Sequence, residues 1–271
     1  MTETINWLNP AAVCLMMAGW FALQEFISQQ HDFSKWIGVL ILLCALLLAF
    51  AISARWLTVG HGPFLTMYEV LISSLFSLAL IYGLAYILVP TIRIGAPFAV
   101  VILLLLFIWT STTDPGTKPL PPTYETPWLW AHVVAGKLFL GSCLVATSLA
   151  ILLLLPMCRF HLLLVSRGLV FKRIDIQMWS WLALAFLFHS VMLVTGAVWA
   201  QDAWGRYWDW DPLESLAFGT WLVMATGLHT RAAFSVRPRT GSALIVGAFM
   251  LAFFTFFGIP FISINPHQGA V

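Results

Sequence analysis

Charged side chains are scarce in this sequence: they make up 9% of its 271 residues, and the formal net charge is +2. Soluble domains carry about 25% charged residues, so the composition excludes a soluble enzyme and a disordered chain. The small net charge also argues against a polyanionic partner, and we expect no nucleic acid to bind. Apolar residues, in contrast, make up 61% of the chain, and the mean hydropathy is +0.93. The sequence therefore predicts a polytopic membrane protein.

Cysteine pairs and the common catalytic motifs are missing as well. None of the four cysteines is spaced as C-x-x-C, which excludes a thioredoxin-type redox pair, a zinc knuckle and a c-type haem attachment site on this chain. The sequence has no Walker signature and no recognisable nucleophile–base pair, so we assign no catalytic residue. Because neither an internal repeat nor a separate soluble domain is evident, we predict one integral membrane domain over residues 1–271.

Long apolar runs recur along the chain, and each is long enough to cross a bilayer, which needs about 20 residues per helix. We therefore predict an all-α bundle of about eight transmembrane helices. The runs lie near residues 11–28, 36–54, 67–89, 94–111, 131–155, 179–200, 213–231 and 242–264.

The basic residues between these runs predict the orientation. Nine Lys and Arg residues fall in one set of connections and three in the opposite set. Cytoplasmic connections carry the excess of positive charge, so both termini are expected on the outer side. The segments 55–66, 112–130 and 201–212 then also lie outside.

One outer segment, residues 199–214, combines aromatic and acidic side chains in an unusual way. Trp199, Trp204, Trp208 and Trp210 fall within twelve positions. An aromatic belt at the membrane interface explains one or two Trp, but not four among carboxylates. Flat aromatic faces beside polar groups instead suit a large planar ligand, such as a porphyrin with its propionates near Arg206. The pair Asp211-Pro212 has a second interpretation, as the cap of the seventh helix.

The stretch from Gly196 to Ser215 reads G-A-V-W-A-Q-D-A-W-G-R-Y-W-D-W-D-P-L-E-S. It resembles the tryptophan-rich WWD signature of haem-handling membrane proteins, and most closely the CcsA-type (ResC) cytochrome c biogenesis family of system II. Leu228-His229-Thr230-Arg231 and the segment Pro63–Glu69 resemble two further motifs of that family.

This resemblance implies that the chain binds haem b in transit and presents it to apocytochrome c for attachment to the thiols of a CxxCH motif. It implies a CcsB/ResB-type membrane partner, and thiol-reducing proteins that act indirectly. Whether the chain forms part of a two-protein haem-attachment synthetase stays open. The expected location is the bacterial inner membrane or a thylakoid-type membrane, with the WWD segment facing outside.

The resemblance also implies the site residues. His132 and His267 match the family's outer pair of axial haem ligands, although the tail around His267 departs from the family pattern. His229 matches an intramembrane ligand whose partner histidine comes from the CcsB-type protein. The remaining predicted haem-binding residues are Trp199, Trp204, Gly205, Arg206, Tyr207, Trp208, Asp209, Trp210, Asp211 and Glu214.

Two other functions and several histidines stay open at this stage. A system I, CcmC-like protein that passes haem to a separate chaperone shares the WWD signature, and a membrane scaffold without haem is the third reading. His189 is either an extra ligand or a polar contact with Ser190 or Thr195. His61 either contacts a propionate or caps its loop, and we expect His31 and His161 to be solvated cytoplasmic residues.

Overall fold

A computed structural model of the chain describes residues 2–28, 32–155 and 171–259. Within these ranges the chain is helical and has no β-strand, which confirms the predicted all-α bundle. By its internal contacts it divides into two compact units at Pro122, and each unit is described by itself. The single domain over residues 1–271 stays a prediction.

The first unit is a ring of four helices: α1 (Thr2–Ser28), α2 (Ser34–Val59), α3 (Met67–Leu88) and α4 (Ala96–Thr112). A 3-10 helix, Pro90–Gly95, precedes α4. Helix α2 packs against α1 and α3, and α4 completes the ring by packing against both of these. Small residues allow close approach, because a Cβ at Gly83 would lie 2.6 Å from Leu42 Cδ2.

The end of this unit where α2 connects to α3 is held by a buried ion pair. Arg55 Nη2 lies 2.9 Å from Glu69 Oε1, and both side chains are buried. The other oxygen of Glu69 accepts hydrogen bonds from the backbone N–H groups of Leu65 and Thr66, and Thr66 completes a capping box on α3. His61 contacts the carbonyl oxygens of Gly62 and Lys118 through its two ring nitrogens. His61 therefore fastens its loop.

The second unit is also a ring of four helices: α5 (Pro127–Leu154), α6 (Phe171–Trp204), α7 (Pro212–Ala233) and α8 (Pro238–Phe257). Helix α5 packs against α6 and α8, and α7 packs against the same two helices. With 34 residues, α6 is about 51 Å long and extends beyond a hydrocarbon core of about 30 Å. Its last turns carry Trp199 and Trp204.

Seven of the described helical segments are long and apolar enough to cross a membrane, and α7, with 22 residues, is the described long helix that is not among them. The protein is a multi-pass membrane protein. The predicted loop at 199–214 is shorter in the structure, because residues 199–204 end α6 and α7 begins at Pro212. Between Gly196 and Gly205 the chain has no glycine or proline, so the helix continues through the first two Trp residues.

Candidate functional site

A cavity lies at one end of the second unit, among α5, α6, α7 and α8. Its volume is about 160 Å³, or about 740 Å³ when all the empty space around it, open solvent included, is counted. Ligand pockets in proteins are mostly apolar with a few polar groups, and this lining has that character. Five predicted residues line this cavity: His132, Trp199, Tyr207, Trp208 and Glu214.

His132 is the histidine of this cavity, and its position is set by α5 and α6. Helix α5 begins at Pro127, where the Thr126 hydroxyl accepts a hydrogen bond from the Trp128 N–H, so His132 falls in the second turn. The Nδ1 atom of His132 lies 2.9 Å from the carbonyl oxygen of Met192. A carbonyl can only accept, so Nδ1 must donate, and Nε2 then carries the lone pair.

Gly196 makes this placement of His132 possible. A Cβ atom at Gly196 would lie 2.6 Å from Nδ1 and 2.9 Å from Cε1 of the imidazole. These distances are too short for real contacts, so only glycine lets the ring pack against α6. The planes of the imidazole and of the Trp199 indole make an angle of 30°, and their centroids lie 6.1 Å apart.

Trp199 forms a wall of the cavity and is itself held in place. It is 6% exposed, and its indole N–H donates to the carbonyl oxygen of Thr123 at 3.1 Å. Its ring packs edge-to-face with Tyr124 and Trp204, at centroid distances of 5.2 and 5.0 Å. Burial raises the pKa of Tyr124 to about 12, so the phenol stays neutral at physiological pH.

The loop between α6 and α7 runs from Gly205 to Asp211 and is fixed at both ends. Gly205 takes the left-handed conformation, with φ of 75°, and its N–H closes the last turn of α6 on Gln201. The Asp211 carboxylate accepts the Glu214 N–H at 2.8 Å, which confirms the predicted helix cap. Glu214 Oε2 in turn accepts the Asp209 N–H at 2.7 Å.

Within this loop Trp208 and Trp210 have different surroundings. Trp208 lines the cavity, and among the described residues its indole N–H has no hydrogen-bond partner. Trp210 has φ of 59° and is 69% exposed, and it packs edge-to-face on Trp208. A non-glycine residue at positive φ is strained. The Ser215 hydroxyl, 3.1 Å from the Trp210 carbonyl oxygen, helps to hold it.

The remaining predicted residues lie apart from the cavity lining. Arg206 pairs with Asp209 at 2.6 Å, and both side chains are about half exposed. His229 is exposed on α7, about 22 Å along the helix from Glu214. His267 lies outside the described residues, as do His31 and His161.

Sequence reasoning missed most of the apolar lining, because it comes from helix faces that meet only in the folded unit. Gly196 and Ala197 belong to the quoted WWD stretch, but their role as a small-residue wall had no local signal. The missed lining residues are Met192, Leu193, Gly196, Ala197, Ala200, Leu213, Ala217, Thr255 and Phe256.

The fold and this site define a class: a multi-pass helical membrane protein with an apolar, tryptophan-walled cavity that contains one oriented imidazole. Comparison with known proteins identifies the family. The chain belongs to the cytochrome c assembly protein family, whose model matches residues 64–267.

Named relatives agree with this assignment. The chain is 28% identical to the cytochrome c biogenesis protein CcsA of Solanum lycopersicum, over 79% of this chain and 79% of that protein. It is 28% identical to CcsA of Trachelium caeruleum, over 89% and 87% of the two chains. For CcsA of Coffea arabica the identity is 27%, over 92% and 88%. The resemblance to CcsA-type proteins predicted from the sequence is thus confirmed.

Proposed function

We propose that this protein holds haem b in the cavity of the second unit and presents it to apocytochrome c for covalent attachment, as in system II cytochrome c maturation. The observation that carries the proposal is the placement of His132. Its Nδ1 atom donates to the Met192 carbonyl, so Nε2 is the ring nitrogen through which His132 would bind iron. Metal-binding histidines are oriented in this way by a hydrogen bond from the other ring nitrogen.

The lining of the cavity suits the other parts of a haem. Its walls are mostly apolar and aromatic, which suits the porphyrin plane. The buried indole N–H of Trp208 is a donor with no partner among the described residues, and it would donate a hydrogen bond to a propionate oxygen. Arg206, half exposed on the same loop, supplies a positive charge that a second propionate can approach.

Two further histidines complete the proposal. His267 is the proposed second axial ligand beside His132, and the histidine of an incoming CxxCH motif would displace it. His229 is proposed as a ligand shared with a CcsB/ResB-type partner. Its exposure on α7 supports this role, because a ligand that binds across an interface must face outward from its own unit.

The attachment of haem to the apocytochrome depends on positioning the reacting groups and not on acid–base groups. Each reduced cysteine thiol of the apocytochrome adds across a vinyl group of the haem. The sulfur bonds to one vinyl carbon, the thiol hydrogen goes to the other, and no atom leaves. Holding vinyl and thiol groups together accelerates such an addition. The thiols must arrive reduced, and thiol-reducing proteins supply that condition indirectly. The proposed location is a bacterial inner membrane or a thylakoid-type membrane, with the loop on the outer side.

The test is the absorption spectrum of the reduced protein, purified with its partner in mild detergent. We expect a low-spin, bis-histidine haem spectrum in the wild type and a lost or altered spectrum in His132→Ala. Added imidazole should restore the spectrum in His132→Gly, and His161→Ala serves as the control histidine. A colourless wild type, even with partner and added haem, contradicts the proposal and favours a scaffold. Haem binding without attachment to apocytochrome c favours a CcmC-like transfer protein.

A further inference from the structure

His189 is a buried histidine that the proposed function does not use. It lies in the middle of α6 and is 1% exposed. Its ring stacks on Phe139 of α5, with centroids 4.1 Å apart and planes at 14°. Neither ring nitrogen has a hydrogen-bond partner in the part of the chain that the structure describes.

The two polar neighbours expected to bind His189 are engaged elsewhere. The Ser190 hydroxyl donates to the Phe186 carbonyl and accepts from the Trp221 indole. The Thr195 hydroxyl donates within its own helix, to the carbonyl of Val191. The prediction of a polar contact between His189 and either residue is therefore wrong. The alternative prediction, an extra ligand, remains.

Packing gives no reason for an imidazole at this place. Leaving a buried polar group without a partner costs about 1–3 kcal/mol, and ionisable residues inside transmembrane segments mark functional pathways. A phenylalanine would stack on Phe139 equally well without that cost. The imidazole at this position is therefore best explained by a ligand that binds to a nitrogen lone pair.

His189 is connected to the cavity through its neighbours. Met192, three residues further along α6, lines the cavity, and so does Phe256. Phe256 contacts Phe139, the stacking partner of His189, at a centroid distance of 5.9 Å. The rings of Phe139 and Phe256 thus link the imidazole to the cavity lining.

We propose that His189 is a second, inner ligand position for haem iron, used when the haem is not bound to His132. This inference rests on the proposed haem-binding function. His189 and Gly196, against which His132 packs, are seven residues apart, or about 10 Å along α6. His132 also contacts the carbonyl of Met192, three residues from His189. It therefore meets α6 one to two turns beyond His189, and the two histidines offer successive positions for one haem.

The test uses His189→Phe in the full-length protein with its partner, alone and combined with His132→Ala. In the haem-free protein, the apolar ring removes an unsatisfied group, so the thermal midpoint should stay the same or rise. In the His132→Ala background, the added change should weaken residual haem binding at least tenfold. Imidazole should restore low-spin haem in the His132→Ala/His189→Gly double variant. Met178→Leu in the His132→Ala background is the matched control, because Met178 is buried in α6 but does not line the cavity.

Each outcome gives a distinct answer. If the wild type with partner binds no haem, both the proposed function and this inference are wrong. If the wild type binds haem but His189→Phe changes nothing in the His132→Ala background, the inner ligand is refuted and the proposed function stands. A fall in the thermal midpoint of the haem-free His189→Phe protein indicates a structural histidine and also refutes the inference. An equal loss of residual haem with Met178→Leu in the His132→Ala background would show that any change in the core of α6 weakens haem binding, and would also refute the inference.

Discussion

Replacing Gly196 with alanine tests whether the orientation of His132 governs haem binding. The added Cβ would lie 2.6 Å from His132 Nδ1, whereas ordinary contacts begin at 3.4 Å. The ring must therefore move by roughly 0.8 Å, since the backbone of α6 is fixed by its own hydrogen bonds. Such a shift breaks the 2.9 Å hydrogen bond from Nδ1 to the Met192 carbonyl.

The expected loss follows from the role of that hydrogen bond. Removing the group that orients a metal-binding histidine typically costs about 10–100-fold in affinity, which corresponds to about 1.4–2.8 kcal/mol. The fold itself should not suffer, because alanine is favoured over glycine inside a helix by about 0.5–1 kcal/mol. Gly196→Ala thus separates ligand orientation from stability.

The assay is haem titration of the full-length protein with its partner, followed by absorption spectra and thermal unfolding. Gly247→Ala in α8 is the matched control, because no atom lies within 4 Å of the Cβ it would add. Wild-type haem affinity and spectrum in Gly196→Ala would refute the proposed importance of the Met192 hydrogen bond. An equal loss in Gly247→Ala would attribute the effect to any added methyl group.

Three further changes test the supports of the two units by thermal unfolding in detergent. Asp211→Ala removes the cap of α7 and should destabilise the protein by about 1 kcal/mol; an unchanged midpoint would show that the cap is dispensable. Glu69→Gln leaves the buried charge of Arg55 uncompensated, and we expect a loss of about 3–5 kcal/mol, so wild-type stability would refute the structural role of this pair. Trp199→Phe keeps an aromatic wall but loses the hydrogen bond to Thr123; it should cost about 1 kcal/mol while haem still binds, and complete loss of haem would contradict this.

The helices were predictable because membrane-spanning segments can be recognised by their length and their apolar composition. Each of the eight predicted runs corresponds to a helix of the described chain. The limits of the WWD segment were harder to predict. The clustering of tryptophans that includes Trp199 and Trp204 suggested a loop. The helix instead ends at Gly205, and the next helix begins at Asp211-Pro212, because these are the residues where the backbone turns. Asp211 was recognisable as a cap because its signal is local.

The cavity was only partly predictable, since its parts come together through packing between distant segments. His132 and Trp199 could be named because their residue types suit a haem. Gly196 could not be understood in this way: its lack of a side chain matters because of an imidazole on another helix. Met192 and Phe256 look like any apolar residue of a span until α5, α6 and α8 are assembled.

Three histidines that look alike in sequence are distinguished by what surrounds their ring nitrogens. His132 gives one nitrogen to a backbone carbonyl and faces a cavity, which is the environment of an oriented ligand. His229 is exposed on α7, so a ligand role there requires a second protein. His189 is buried, and neither of its ring nitrogens has a partner among the described residues, so a ligand role there requires that the cavity extend to its ring. Measuring haem binding by the three alanine variants with and without the partner would therefore separate the three roles. Loss of the partner should have the same effect as His229→Ala and should leave the contributions of His132 and His189 in place.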